Sequence, residues 1–210
     1  MDGVPSEEIR RLLSVARRRR FSRNEVVFHR EDPADSLHLI SKGRFAIRVM
    51  TPLGETVTIG IRGPGETFGE MALVSDGAKR SATVESLEEA ETFAVYVGEF
   101  QRLRKEHPTV NQALIGFLAE EVRRQNQLLL EALYMPVERR VLRRLSELSA
   151  VYDRGDSAIP LTQEQLAEMA GTSRATVNRV LREEQERGTV ELRRGRTVVV
   201  DPEAIRARAR

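Results

Sequence analysis

Two groups of residues in this chain have types and spacings that could do chemistry. The first is Gly65-Glu66-Thr67-Phe68-Gly69-Glu70-Met71-Ala72-Leu73, followed by Lys79-Arg80-Ser81-Ala82-Thr83-Val84. A glycine-flanked carboxylate and an Arg-Ser pair are joined by a short loop that turns at Asp76-Gly77, with apolar residues on either side. This pattern places the carboxylate and the guanidinium inside, or at the mouth of, a β-structure. A guanidinium withdrawn from water needs an anion. A cyclic phosphate suits it, because Arg80 offers a planar fork of donors, Ser81 a hydroxyl, and the loop its backbone N–H groups. Glu70 is able to accept a hydrogen bond from a ribose 2′-hydroxyl. A plainer account of the same residues is a Glu70–Arg80 ion pair that serves the fold alone.

The second group lies in Leu161–Val200. Thr162 is a good N-cap, with Gln165 at capping-box spacing. Leu166, Ala167, Met169 and Ala170 give a short helix its apolar side, and Gly171 ends it. Thr172 or Ser173 can cap the next helix, whose Val177, Val180 and Leu181 face inward until Gly188 stops it. Strands over Thr189–Leu192 and Thr197–Val200 then flank Arg193-Arg194-Gly195-Arg196, which completes a winged helix-turn-helix. The candidate DNA-contacting residues are Thr162, Ser173, Arg174, Ala175, Thr176, Asn178 and Arg179, with Arg193, Arg194 and Arg196 at the wing tip. Arg reads guanine O6 and N7, Asn and Ser bond bases or phosphates, and wing arginines neutralise phosphates. The alternative is a winged helix that binds only protein, with these arginines a solvated face.

The elements that must position these groups follow from texture. Residues 20–100 read as short strands at spacings near ten residues: Glu25–His29, Ser36–Ile40, Arg44–Met50, Thr56–Ile61, Ala82–Ser86 and Ala90–Tyr96. Turn signals at Asp32-Pro33, Lys42-Gly43, Pro52-Leu53-Gly54 and Gly63-Pro64-Gly65 separate them, which argues a sandwich, barrel or jelly roll. From His107-Pro108 the period becomes helical and runs to Pro136, a helix of about 28 residues. Ile115, Leu118, Val122, Gln125, Leu129 and Ala132 form a coiled-coil seam with one polar residue in its middle. A second face, Leu114, Phe117, Leu128 and Leu133, is available to the β-structure. After Pro136, Val137–Ala150 reads as an amphipathic helix, and Tyr152–Ile159, with Gly155, as a polar loop.

The 210 residues carry a net charge of +2, with 40% hydrophobic and 31% charged residues, which excludes a disordered chain. Residues 137–210 hold 15 basic against 12 acidic side chains, a mild positive bias. There is no cysteine, so thiolate metal sites, iron–sulfur clusters and cysteine nucleophiles are excluded. The three histidines, His29, His38 and His107, are too dispersed for the metal-dependent enzymes that share a jelly-roll shape, so no metal site is expected. No stretch reads as a transmembrane span, and the N-terminal segment lacks the apolar core of a signal peptide, which points to the cytoplasm.

The combination FGEMAL…RSATV, a long seam helix, then TSRATVNR in a winged domain resembles the CRP/FNR family of bacterial transcription regulators, from about Phe21 to Val200. The resemblance implies an α+β fold. A cyclic-nucleotide-binding β-roll (a jelly roll) would span residues 1–106, a dimerisation helix 107–135, and a winged helix-turn-helix 136–210. It also implies a homodimer, not an enzyme, bound to palindromic double-stranded DNA and controlled by a cyclic nucleotide, cyclic AMP, as allosteric ligand rather than cofactor. Gly69 and Glu70 match the family's phosphate-loop glycine and ribose-binding glutamate, within a loop that includes Met71 and Ala72. Arg80 and Ser81 match its phosphate-binding pair. Cyclic-AMP binders place Thr-Ser against adenine where this chain has Gln125 and Asn126, a longer pair. The recognition helix carries Ala175 where the family has a Glu that accepts from cytosine, so the half-site differs at that base pair. Arg17 and Arg19, in the basic run before the β-roll, fall where basic side chains of the family's type member contact RNA polymerase. The alternative for them is a solvated charge run. A regulator of the same build that needs no nucleotide, or senses another small molecule, is the competing reading.

Overall fold

The structure is a computed structural model and describes residues 6–51, 54, 56–74, 77–152 and 158–209. The turns read at Pro52-Leu53 and Asp76 and the loop around Gly155 lie outside the described residues. The chain divides into two compact units, Met1–Gln125 and Asn126–Arg210.

The first unit begins with α1 (Ser6–Val15) and continues through eight strands: β1 (Arg17–Phe21), β2 (Val26–Phe28), β3 (Ser36–Lys42), β4 (Phe45–Met50), β5 (Thr56–Arg62), β6 (Thr67–Phe68), β7 (Thr83–Ser86) and β8 (Ala90–Tyr96). A 3₁₀ turn, Glu70–Leu73, lies between β6 and β7. The strands form two antiparallel sheets, β1-β8-β3-β6 and β2-β7-β4-β5. Alternation along β3 shows how they pack. Ile40 joins Phe21, Phe45, Ile47, Phe68 and Val84 between the sheets, where Phe45 meets Phe21 edge-on at 5.6 Å and Phe68 at 5.0 Å. Leu37 and Leu39 point the other way, onto Leu12, Phe100, Leu103, Ala113 and Phe117. The latter come from α1, from α2 (Val97–Glu106) and from the start of α3 (Asn111–Tyr134). With both faces covered, β3 is buried through its first five residues.

Three sequence expectations change here. The run Arg17–Arg20 does not precede the roll but forms β1, an edge strand in register with β8. Its alternation divides the arginines: Arg18 and Arg20 pair with Glu91, while Arg17 lies over the Tyr96 ring and Arg19 donates to the Tyr96 hydroxyl. Charge on an edge strand also discourages pairing with another sheet. Pro108 opens a 3₁₀ turn, Pro108–Val110, rather than the long helix, so α3 has 24 residues instead of 28. Leu133, read as facing the β-structure, is 63% exposed, whereas Phe117 is buried and Leu114 packs beside it.

The second unit takes the end of α3 with α4 (Val137–Val151), β9 (Ala158–Ile159), α5 (Gln163–Ala170), α6 (Arg174–Glu186), β10 (Val190–Arg193), β11 (Arg196–Val199) and α7 (Pro202–Arg208). Its buried side chains include Val141 and Leu145 of α4, Leu166 of α5, Val177 and Leu181 of α6, and Ile205 of α7. Pro136 separates α3 from α4, yet the two are tied across it. Buried Glu131 receives Arg143 at 3.0 Å and also Arg144. Arg140 donates to the carbonyls of Met135, Ala170 and Gly171, gathering groups at the ends of α3 and α5. The loop read over Tyr152–Ile159 ends in β9, a third strand of the wing beside β11. Helix α7 has no counterpart in the sequence reading. Asp201 caps it by accepting from the Ala204 N–H, and Arg208 docks it on Glu184. Glu184 is buried and also takes Thr189 and Arg187. No helix among the described residues is long and apolar enough to cross a membrane.

Candidate functional site

A cavity of about 230 Å³ opens in the first unit. Phe28, Ile47, Val49 and Val84 supply an apolar wall. Gly69, Glu70, Met71, Ala72, Arg80, Ser81 and Gln125, all singled out from the sequence, line it as well. The first four come from the 3₁₀ turn and its preceding residue. Gly69 has φ 82°, and a Cβ there would fall 2.7 Å from Arg80 Nη1 and 2.8 Å from the Ser36 carbonyl oxygen. Only glycine allows the turn to close this tightly on the guanidinium.

Arg80 is buried and held on several sides. Its Nη1 donates to the Ser36 carbonyl at 2.7 Å, and its Nη2 donates to Asp35 at 2.8 Å and Ser36 Oγ at 3.0 Å. The guanidinium carbon lies 3.9 Å from the Phe28 ring centre. The carboxylate paired with Arg80 is thus Asp35, not Glu70. Sequence spacing favoured Glu70 because Asp35 belongs to a distant loop. Arg80 Nε is buried without a hydrogen-bond partner among the described residues, so a phosphate oxygen would complete the set. Ser81 is exposed at the rim. Burial raises the Glu70 carboxyl above the usual carboxylate range, with the nearby Glu121 adding to the effect and Arg62 and Arg124 opposing it.

Three charged residues of the cavity were not foreseen: Arg62, Glu121 and Arg124. Arg62 ends β5 and is buried, donating to Glu121 at 2.9 Å. Arg124 grips the same carboxylate with two donors, Nε at 3.1 Å and Nη2 at 2.7 Å, and Gln125 Nε2 adds a third contact at 2.7 Å. Burial alone would raise the Glu121 carboxyl. The bonds from Arg124 and Gln125 and the charges of Arg62 and Arg124 outweigh it and bring it down to about 2. The sequence signal was an arginine closing the apolar strand TVTIGIR and an i, i+3, i+4 set on α3. Asn126 is exposed and is not among the residues that line the cavity.

In the second unit, Thr162 and Gln165 form the capping box that starts α5, and Gly171 ends the helix at φ 61°. Ser173 caps α6 by accepting from the Thr176 N–H, so its hydroxyl is already engaged. A cavity of about 540 Å³ runs between α6 and the wing and brings together Thr162, Arg174, Asn178, Arg193 and Arg196. Ala175 and Arg194 are exposed outside it, and Thr176 is half-buried. Asn178 is also half-buried and donates to Gln163 at 3.0 Å. Arg179 is directed to Glu138 and Glu183. Arg193 pairs with Glu191 across the strand face. Among the described residues no group of three or more histidines, aspartates or glutamates is placed to hold a metal ion.

Comparison with known proteins agrees with both halves. Residues 18–107 match the cyclic nucleotide-binding domain, and residues 139–208 match the Crp-like helix-turn-helix domain. The chain is 31% identical to the cyclic AMP receptor protein of Thermus thermophilus over 97% of this chain and 92% of that protein. It is 27% identical to the CRP-like cAMP-activated global transcriptional regulator of Mycobacterium tuberculosis over 99% and 95%. The fold is shared with the c-di-GMP responsive global regulator CLP of Xanthomonas campestris, with a TM-score of 0.75 at 23% identity, covering 93% of this chain and 99% of that one. These relatives are regulators, not enzymes. The chain belongs to the CRP/FNR family, as a DNA-binding transcription regulator that carries a cyclic nucleotide-binding domain.

Proposed function

We propose that the protein is a homodimeric, cytoplasmic regulator whose grip on palindromic DNA is set by a purine 3′,5′-cyclic mononucleotide held in the β-roll. The carrying observation is the cavity that gathers Gly69, Glu70, Arg80, Ser81 and Gln125 around one apolar-walled space. The phosphate takes Arg80 Nε and Ser81, the ribose takes Glu70, and the base lies toward α3. Cyclic AMP is the reference ligand because relatives are cAMP-activated. Dimerisation is supported by the seam: Ile115, Val122 and Leu129 are 56%, 59% and 57% exposed, and Gln125 and Ala132 are exposed with them, while Leu118 is half-buried. Two-fold pairing would set the two α6 helices on half-sites about one DNA turn apart. RNA polymerase is the further partner, with Arg17 and Arg19 presented on the exposed edge β1.

A second reading, a regulator competent without nucleotide, draws on the Asp35 and Ser36 bonds that already satisfy much of Arg80. Calorimetry with cyclic AMP and cyclic GMP separates the two, followed by DNA binding with and without ligand. Nucleotide binding that raises DNA affinity is expected. Absence of binding together with ligand-independent DNA affinity would establish the second reading.

A further inference from the structure

The α3 end of the cavity has a chemistry of its own. Glu70 feels Arg62, Glu121 and Arg124, and Arg80 in turn feels Glu70. The Glu70 carboxylate lines the same cavity as Arg80 and as a second charged group at α3. At that second end Glu121 and Gln125, one helical turn apart, face the cavity together with Arg62 and Arg124. The two guanidiniums converge: a Cβ placed on Gly60 would meet Arg62 Nη1 at 3.2 Å and Arg124 Nη1 at 3.3 Å.

Glu121 presents both carboxylate oxygens to a planar pair of donors, because that is how it accepts Arg124 Nε and Nη2. Among purines, guanine has an equivalent edge. Its N1–H and N2–H₂ form a planar two-donor fork, while the adjoining O6 and N7 are two acceptors suited to a guanidinium. Adenine has one exocyclic donor group between two ring acceptors and offers no two-donor edge. A carboxylate with arginines beside it thus presents two acceptors followed by donors, the complement of guanine. The alternative use of these groups is a tie between β5 and α3 through Arg62–Glu121.

Resting on the cyclic-nucleotide reading above, we infer that the effector pocket selects a guanine base, with Glu121 accepting from N1–H and N2–H₂ and Arg62 or Arg124 donating to O6 and N7. The specificity-determining residue is Glu121, on a helix that also carries the seam. The base takes over the place at Glu121 that Arg124 fills in its absence, and the guanidinium it displaces finds hydrogen-bond acceptors in O6 and N7.

The test is calorimetric titration of the full chain with cyclic GMP, cyclic AMP and cyclic IMP, which lacks the 2-amino group, repeated on Glu121→Gln. The inference expects cyclic GMP to bind about 10-fold tighter than cyclic AMP, with cyclic IMP between them. In Glu121→Gln, whose amide keeps one acceptor and turns the other into a donor facing N2–H₂, the ratio should fall toward one. Cyclic AMP binding as tightly as cyclic GMP, or a ratio unchanged in the variant, overturns the guanine assignment and leaves the cyclic-nucleotide reading intact. Binding of none of the three nucleotides by the wild type overturns both. A circular dichroism melt of the variant accompanies the titrations, and the comparison of ligands within one variant does not depend on its stability.

Discussion

Arg80 carries the phosphate reading. Arg80→Leu removes the guanidinium and also its bonds to Asp35 and Ser36. Truncating one partner of a buried charged pair costs about 2–5 kcal/mol, so nucleotide affinity should fall by more than about tenfold by calorimetry. Ser81 is exposed, so Ser81→Ala tests the same end without disturbing the core and should weaken binding by several-fold; unchanged affinity in both variants would place the ligand elsewhere. His38 makes a separate, pH-dependent statement. It is buried, stacks on Phe68 at 4.9 Å between centroids, and bonds Thr92 at 2.9 Å. Burial, with the charges of Arg80 and Arg19, lowers its pKa to about 3. The unfolded chain then binds a proton near pH 6.5 that the folded chain refuses. The His38 contribution is full above pH 6.5 and is lost toward pH 3, at about 1.4 kcal/mol per pH unit. Chemical denaturation at pH 7.5, 6 and 5 should show that slope, and His38→Gln should remove it; an equal slope in the variant would assign the loss to other groups. The residues proposed to take phosphate and ribose were legible because they sit in one short stretch of sequence, Gly69–Ser81. Asp35, Arg62 and Glu121 were not, because only folding brings the loop before β3 onto Arg80 and sets the end of β5 beside α3 at the cavity.

At the scale of elements, α3 serves both units. Its seam residues were readable from 3-4 spacing, since an apolar stripe repeats whatever it packs on. The start of the helix was not, because Pro108 fits a 3₁₀ turn as well as an α-helical first turn. The wing's third strand was too short to carry a pattern, and α7 is legible only in hindsight from Asp201-Pro202, a cap followed by proline at N1. Pro136 separates α3 from α4, and the Glu131–Arg144 pair spans it, while the two compact units divide at Gln125. Glu131→Ala would leave buried Arg144 with Glu147 alone and take Arg143 from its nearer carboxylate, a loss of up to about 3 kcal/mol. The expected outcome is a markedly lower melting transition of the C-terminal unit, with nucleotide affinity retained. Gln125 occupies the polar seam position, lines the cavity and donates to Glu121. A ligand shifts DNA affinity only by binding two states unequally, and under the proposed function Gln125 would meet both base and seam. Gln125→Leu should therefore bind DNA without ligand and respond little to it. A wild-type ligand response in this variant would reduce Gln125 to fixing the register of the seam.

For the whole molecule, the proposed function couples a nucleotide sensor and a dimer seam to a winged domain whose cavity gathers Thr162, Arg174, Asn178, Arg193 and Arg196. Each part is of ordinary construction, and the function lies in their coupling. The most direct measurement is selection of duplexes from a randomised DNA pool by the full chain, with and without cyclic nucleotide, read by sequencing. Enrichment of a two-fold symmetric site, with half-sites about 10 base pairs apart, is expected only when nucleotide is present. The half-site should depart from the family's at the base pair facing Ala175. Equal enrichment of the same site without nucleotide, or enrichment of a single unpaired half-site, would contradict the proposed function.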